Sequence, residues 1–245
     1  MKVLIQGKEV DMLIGMDAEF FLINSDGFIA AARVIPGLKH KPFVLENGVC
    51  HPDGLSLEVG APPADTPEGM ITNLFTVLQE VQDKYLTPQG VTIANTSEVR
   101  HTKVRGVQPE DLQFGCGIEF DARHSRNGSR GMMNKSVTGL ASEYRFSGFH
   151  IHLGFTQDQE VNYFTYLDMS KLVLRLDALF LSYGLATSTR RATQYGGEGA
   201  FRVKPYGIEY RMMDCSVITD RNKLSSLLAA LKRLPEVFRK LSEAA

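Results

Sequence analysis

The sequence predicts an α+β fold in which helices cover one face of a largely antiparallel sheet. Three observations predict it. Short stretches alternate apolar and polar residues with the period of a strand. Several are joined by Asn, Asp, Gly and Pro turns at hairpin spacing. The segments with apolar residues three to four apart fall after the first hairpins and between later strands.

Leu13–Asn24 reads as a strand, with Met16, Ala18 and Phe20 on one face and Gly15, Asp17 and Glu19 on the other. Asn24-Ser25-Asp26-Gly27 is a turn, which makes Phe28–Val34 the return strand. Pro36–Pro42 is a loop. Phe43–Gly60 reads as a second hairpin turning at Pro52-Asp53-Gly54, with Ser56, Glu58 and Gly60 opposite Leu55, Leu57 and Val59. Past the proline-rich break Ala61–Asp65, Thr66 caps a helix with Pro67 in its first turn. Its stripe of Ile71, Leu74, Phe75, Leu78, Val81 and Tyr85 carries it to Leu86, where Thr87-Pro88-Gln89-Gly90 stops it.

Val91–Val99 is a strand, Gln108–Leu112 a helical turn, and Gln113–Asp121 a strand with Glu119 and Asp121 opposite Ile118 and Phe120. Arg123–Ser142 has no hydrophobic period and reads as a mobile surface loop. In Phe146–Phe155, Phe149, Ile151, Leu153 and Phe155 face one way, and Gly148, His150, His152 and Gly154 the other. Asp158–Leu185 is the longest helical pattern, and Thr187–Gly199 a Gly-rich polar loop holding Arg190 and Arg191. Phe201–Pro205 and Gly207–Met213 are short extended segments, Glu209 and Arg211 sharing a face of the second. Asp220 caps a final amphipathic helix through Leu241.

With 245 residues, 43% of them hydrophobic, the chain suffices for one large core, and residues 1–245 are read as a single domain. A net charge of -1 argues against a general polyanion binder, so no nucleic-acid partner is expected. Cys50, Cys116 and Cys215 form no CxxC pair, which favours a reducing cytoplasm, and no apolar run is long enough for a signal peptide or a membrane span.

The polar faces collect Asp17, Glu19, Glu58, Glu119, His150, His152, Glu209 and Arg211. If the strands are neighbours, these line an open basin rich in carboxylates. Two like charges 4 Å apart repel by roughly 4 kcal/mol at an effective dielectric near 20, so such a basin calls for cations. Oxygen ligands suit hard divalent ions, Mg²⁺ above all, which completes its shell with phosphate oxygens and water. Arg190, Arg191, Arg202, Lys204 and Arg211 then form a cationic segment facing the acids, and acids for metal beside bases for phosphate suggest a nucleotide triphosphate site. Gly196-Gly197-Glu198-Gly199 lacks the strand and helix of a dinucleotide fingerprint and reads as a flexible loop.

Four ordered motifs resemble the glutamine synthetase-like amidoligases: Gly15-Met16-Asp17-Ala18-Glu19-Phe20, His51-Pro52-Asp53-Gly54 with Glu58, Gly148–Gly154, and Phe201–Arg211. Within that superfamily, which also holds glutamate–cysteine ligase, they look most like the phage-encoded COOH-NH2 ligases. The resemblance spans roughly Gly15 to Ser216. It implies a glutamine synthetase-like sheet cradling ATP and two or three Mg²⁺ ions, for which Mn²⁺ can substitute. Asp17, Glu19, Glu58 and Glu209 would be metal ligands, with Asp53 a weaker candidate and His152, or alternatively His150, at the nucleotide-side ion. Arg202, Lys204 and Arg211 would hold phosphates, and Glu119 would take the amine proton. The implied reaction joins a small-molecule or peptide carboxylate to an amine through an acyl phosphate, in the host cytoplasm if the gene is a phage's. A small-molecule kinase and a non-catalytic nucleotide-binding protein are the rivals.

Overall fold

In the computed structural model, which describes residues 1–112, 119–124, 132–133, 143–155, 166–193 and 196–243, the chain opens on a hairpin. Gln6 and Gly7 both hold positive φ, 49° and 79°, and fold β1 (Lys2–Ile5) onto β2 (Lys8–Phe20). The sequence reading did not foresee β1. After β2 come β3 (Leu22–Asn24), β4 (Gly27–Ile29), β5 (Phe43–Val44), β6 (Val49–Asp53) and β7 (Ser56–Ala64). Helix α1 (Pro67–Val81) leads to β8 (Thr92–Ile93), β9 (Glu98–Arg100), β10 (Val104–Arg105), β11 (Glu119–Asp121), β12 (Met132–Met133), β13 (Tyr144–Phe146) and β14 (Phe149–Phe155). Then follow α2 (Tyr166–Ser182), the short α3 (Thr189–Ala192), β15 (Ala200–Lys204), β16 (Gly207–Tyr210), α4 (Ser216–Thr219), α5 (Arg221–Leu231) and α6 (Leu234–Glu243).

The fold is α+β, as expected. Among the described residues, ten strands form one sheet in the order β12-β11-β15-β16-β14-β2-β7-β6-β5, with β1 on the far end of β2. Every pairing in it is antiparallel. One face is apolar: Met12, Ile14, Met16, Ala18 and Phe20 of β2 join Leu57, Val59, Phe149, Ile151, Leu153, Phe201, Ile208 and Tyr210 in one buried cluster. Residues of α1, α2, α5 and α6 complete that cluster, so the helices lie on this face. A smaller cluster of Phe21, Ala30, Leu55, Ala94 and Val99 sits by a second sheet, β10-β4-β3-β8.

Local chemistry sets the ends. The Thr66 hydroxyl accepts from Gly69 N at 3.1 Å and caps α1, which runs on through a π-helical turn (Gln82–Leu86) until Gly90 turns left-handed at φ 64°. Asp220 caps α5 by accepting from Asn222 N and Lys223 N. The expected single last helix is two, broken at Lys232 and Arg233, because Pro235 has no N–H to continue the ladder. The expected return strand Phe28–Val34 ends at Ile29 and gives way to a 3₁₀ turn, Ala31–Arg33. Val91–Val99 is divided between two strands that belong to different sheets. Most of Arg123–Ser142, the start of Asp158–Leu185 and Cys116 lie outside the described residues. No helix among the described residues is long and apolar enough to cross a membrane.

Candidate active site

The antiparallel register converts the alternation of each strand into rows running across the sheet. Glu19 of β2 stands directly opposite Glu58 of β7, which stands opposite His51 of β6. Asp17 lies between Gly60 and His150. His152 lies between Gly15 and Glu209, and Glu209 opposite Arg202. Polar residues of six strands therefore share the face away from the helices. The face is not an open basin: Glu19, His51, His150, Glu209 and Arg211 are buried, while Asp17, Asp53 and Glu58 are half-buried. Part of its cover is Arg191, whose Nη2 would stand 3.2 Å from a Cβ on Gly148.

At one end, oxygens of Glu19, Asp53 and Glu58 lie within 4.8 Å of one another. Two carboxylates facing each other across a sheet repel. Burial, then the neighbouring charge of Asp53, pushes the Glu19 carboxyl up, although Gly148 N donates to its Oε2 at 2.6 Å. Burial, then Glu19, Asp53 and Asp17, pushes Glu58 well above the usual carboxylate range. His51 Nε2 is 3.5 Å from Glu58 Oε2, and the Lys39 ammonium pairs with Asp53.

At the other end Glu209 meets three cations: Arg211, Lys204 with Nζ 2.6 Å from Oε2, and Arg202 with Nη1 3.4 Å from Oε1. Burial alone would raise Glu209, but Arg211, Arg202 and Lys204 together outweigh it and hold the carboxyl at about 2. Three positive charges against one negative leave this end cationic.

Between the two ends lie the histidines. Burial, then the charges of Arg211, Arg191 and Arg202, hold His150 well below the usual imidazole value, so it is neutral at physiological pH. Its Nδ1 lies 3.4 Å from Arg211 Nη1, and its buried Nε2 makes no hydrogen bond among the described residues. That nitrogen and Glu19 Oε2 converge on Gly148: a Cβ there would stand 2.5 Å from the first and 3.2 Å from the second, so only glycine fits. His152 is more fully engaged, its Nδ1 hydrogen-bonded to the Tyr206 hydroxyl and its Nε2 2.9 Å from Asp17 Oδ2.

The structure thus brings Asp17, Glu19, Asp53, Glu58, His150, His152, Glu209, Arg202, Lys204 and Arg211 onto one face. Glu119 falls one residue before Phe120, which pairs with Phe201, and so is at the register position of Arg202; its side chain lies outside the described residues. Arg190 does not join them: it pairs with Glu98 and lies over the Tyr144 ring, 4.1 Å from the centroid. Arg191 is buried as a brace, donating to the carbonyls of Gly196, Met212 and Arg211 and to the Thr187 hydroxyl. Gly196 and Gly199 are left-handed, at φ 62° and 82°, and a Cβ on Gly196 would strike that guanidinium, so these glycines serve close packing.

Lys39 and Tyr206 were not anticipated, and His51, though part of a motif, was given no role. His51 was within reach of the alternation, two residues before Asp53 on β6. Lys39 and Tyr206 sit in turns, where no periodicity marks direction.

The donor set tests the fit of an ion. Three converging carboxylates offer the oxygen ligands that hard divalent cations take. Burial and mutual repulsion raise Glu19 and Glu58, and the Nε2 of neutral His150 converges with Glu19 on Gly148. Neither described thiol takes part; burial pushes Cys50 up to about 11 and Cys215 up to about 12. The residues fit Mg²⁺ or Mn²⁺.

No protein-family model matches the chain, and no curated protein matches it in sequence. Among solved structures, a bifunctional glutathione synthetase from Pasteurella multocida superposes with a TM-score of 0.47 at 17% identity, over 93% of this chain and 40% of that one. A glutamate–cysteine ligase from Francisella tularensis in complex with AMP gives 0.41 at 18% identity, over 74% of this chain and 36% of that one. The chain spans two fifths or less of the length of these structures.

Proposed function

We propose that this chain is an ATP- and Mg²⁺-dependent carboxylate–amine ligase of the kind its motifs resemble, the phage COOH-NH2 ligases. The observation that carries the reading is the division of one sheet face into an acidic end, Glu19, Asp53 and Glu58, and a cationic end, Arg202, Lys204 and Arg211 around Glu209.

Bound at the acids, a divalent ion would offset charge on the triphosphate. Arg202, Lys204 and Arg211 hold the phosphates and stabilise the charge that spreads over the transferring phosphoryl group. A substrate carboxylate oxygen attacks the γ-phosphorus and ADP leaves. The amine nitrogen then attacks the acyl carbon, phosphate departs, and the ammonium proton passes to a nearby base, for which Glu119 is the candidate by register. In this reading either imidazole is a candidate for the ion, since the Nε2 of each makes no hydrogen bond among the described residues; that of His152 lies 2.9 Å from Asp17 Oδ2, and its Nδ1 is held by Tyr206.

The test is ADP release with Mg²⁺ across a panel of carboxylates and amines, with mass spectrometry of the product. An amide together with ADP and phosphate is expected. A stable phosphorylated product would mean a kinase, and nucleotide binding without ADP release a non-catalytic protein. Glu58→Gln should lower turnover by at least about a hundredfold, the usual scale for losing preorganised charge stabilisation; undiminished turnover would overturn the assignment.

A further inference from the structure

We propose that Lys39 is the protein's own counter-ion for the Glu19–Asp53–Glu58 cluster, and that a divalent cation enters by exchanging with it; this rests on the metal-binding reading above. Lys39 stands at the tip of a tight turn. Leu38 N donates to Lys41 O at 3.1 Å and Lys41 N to Leu38 O at 2.9 Å, leaving Lys39 and His40 as the turn residues. Gly37 anchors the turn at φ 93°, where a Cβ would stand 2.8 Å from Phe43 N. The base of the turn is thereby pinned, while its tip reaches the acids.

From that tip the ammonium pairs with Asp53, a member of the trio whose oxygens lie within 4.8 Å. The Lys39 side chain is 43% exposed and that of Asp53 11%, so the cation comes from the solvent side onto a largely covered carboxylate. A bound ion takes the Asp53 carboxylate as a ligand, so ion and ammonium compete for its charge. The ion brings two charges to three carboxylates where lysine brings one. The exposure of Lys39 lets water take over its charge when it is released. A separate observation points to a ligand beside the trio: the buried His150 Nε2, without a hydrogen-bond partner among the described residues, converges with Glu19 on Gly148. The turn would thus keep the acids compatible before the ion arrives and be set free when it binds.

The test measures affinity with no turnover involved. Free Mn²⁺ is counted by electron paramagnetic resonance, and Mg²⁺ binding is followed by calorimetry, on wild type, Lys39→Met, Lys39→Gln and Lys39→Arg. Both neutral variants should bind Mn²⁺ roughly three- to tenfold tighter, the scale of one half-exposed ion pair, while Lys39→Arg stays near wild type. Circular dichroism checks that each variant is folded. Equal or weaker binding by the neutral variants, or an equal gain in Lys39→Arg, overturns the exchange and leaves the metal site standing. Failure of every form to bind either ion overturns both.

Discussion

A single carboxylate shows how much the site works against the fold. Glu58 is held above its usual 4.5 by burial and by Glu19, Asp53 and Asp17. From about pH 4.5 upward the folded chain therefore binds more protons than the unfolded one, and stability falls as pH rises until Glu58 ionises. Glu58→Gln removes that loss. In EDTA the variant should match wild type near pH 4 and exceed it in stability at pH 8. Urea denaturation at the two pH values measures this, and a variant less stable than wild type at pH 8 would show that the cluster is already neutralised within the protein. Glu209 is the opposite case. Its carboxylate is the partner of a buried arginine, so removing it would leave Arg211 uncompensated and disturb the fold along with the chemistry.

At the scale of elements, α2 is tied to the strands bearing the cationic end through Asp177. Its carboxylate accepts from the Tyr210 hydroxyl at 2.8 Å and from Gly199 N at 2.7 Å, and burial pushes its pKa up to about 6. Tyr210→Phe would leave a buried acceptor short of a donor, at a cost of about 1–3 kcal/mol. The loss should be larger at pH 8 than at pH 5, because the ionised carboxylate needs its donors more; equal losses in denaturation at both values would count against the link. None of this was legible in the sequence, since Asp177 lies on a helix and Tyr210 on a strand of unassigned neighbours. The polar face was legible because strand side chains alternate strictly, so Asp17, Glu19, Glu58, His150, His152 and Glu209 could be placed on faces before any pairing was known. The cover over that face was not, because it depends on Arg191, whose burial is set by the carbonyls of Gly196, Arg211 and Met212. The same limit hid Lys39 and Tyr206, since turns carry no period.

Taken whole, the molecule is a sheet whose apolar side is covered by helices and whose polar side carries a charge imbalance from one end to the other. Ligand should therefore stabilise the whole chain. Mg²⁺ at a hundred times its dissociation constant should add about 2.7 kcal/mol, a rise in melting temperature of roughly 5–10 °C for a chain of this size. Thermal scans with and without EDTA measure it, with Glu58→Gln showing little rise; a rise of equal size in that variant would place the ion elsewhere. The order β15-β16-β14-β2-β7 has one more consequence. The carboxylates of β2, β6 and β7 come early in the chain and the cations of β15 and β16 late, so no contiguous fragment owns both. A chain cut between Ser182 and Thr189 would part the carboxylates from the cations, and the two-ended face would re-form only where the severed halves zip together along the β14–β16 and β11–β15 seams.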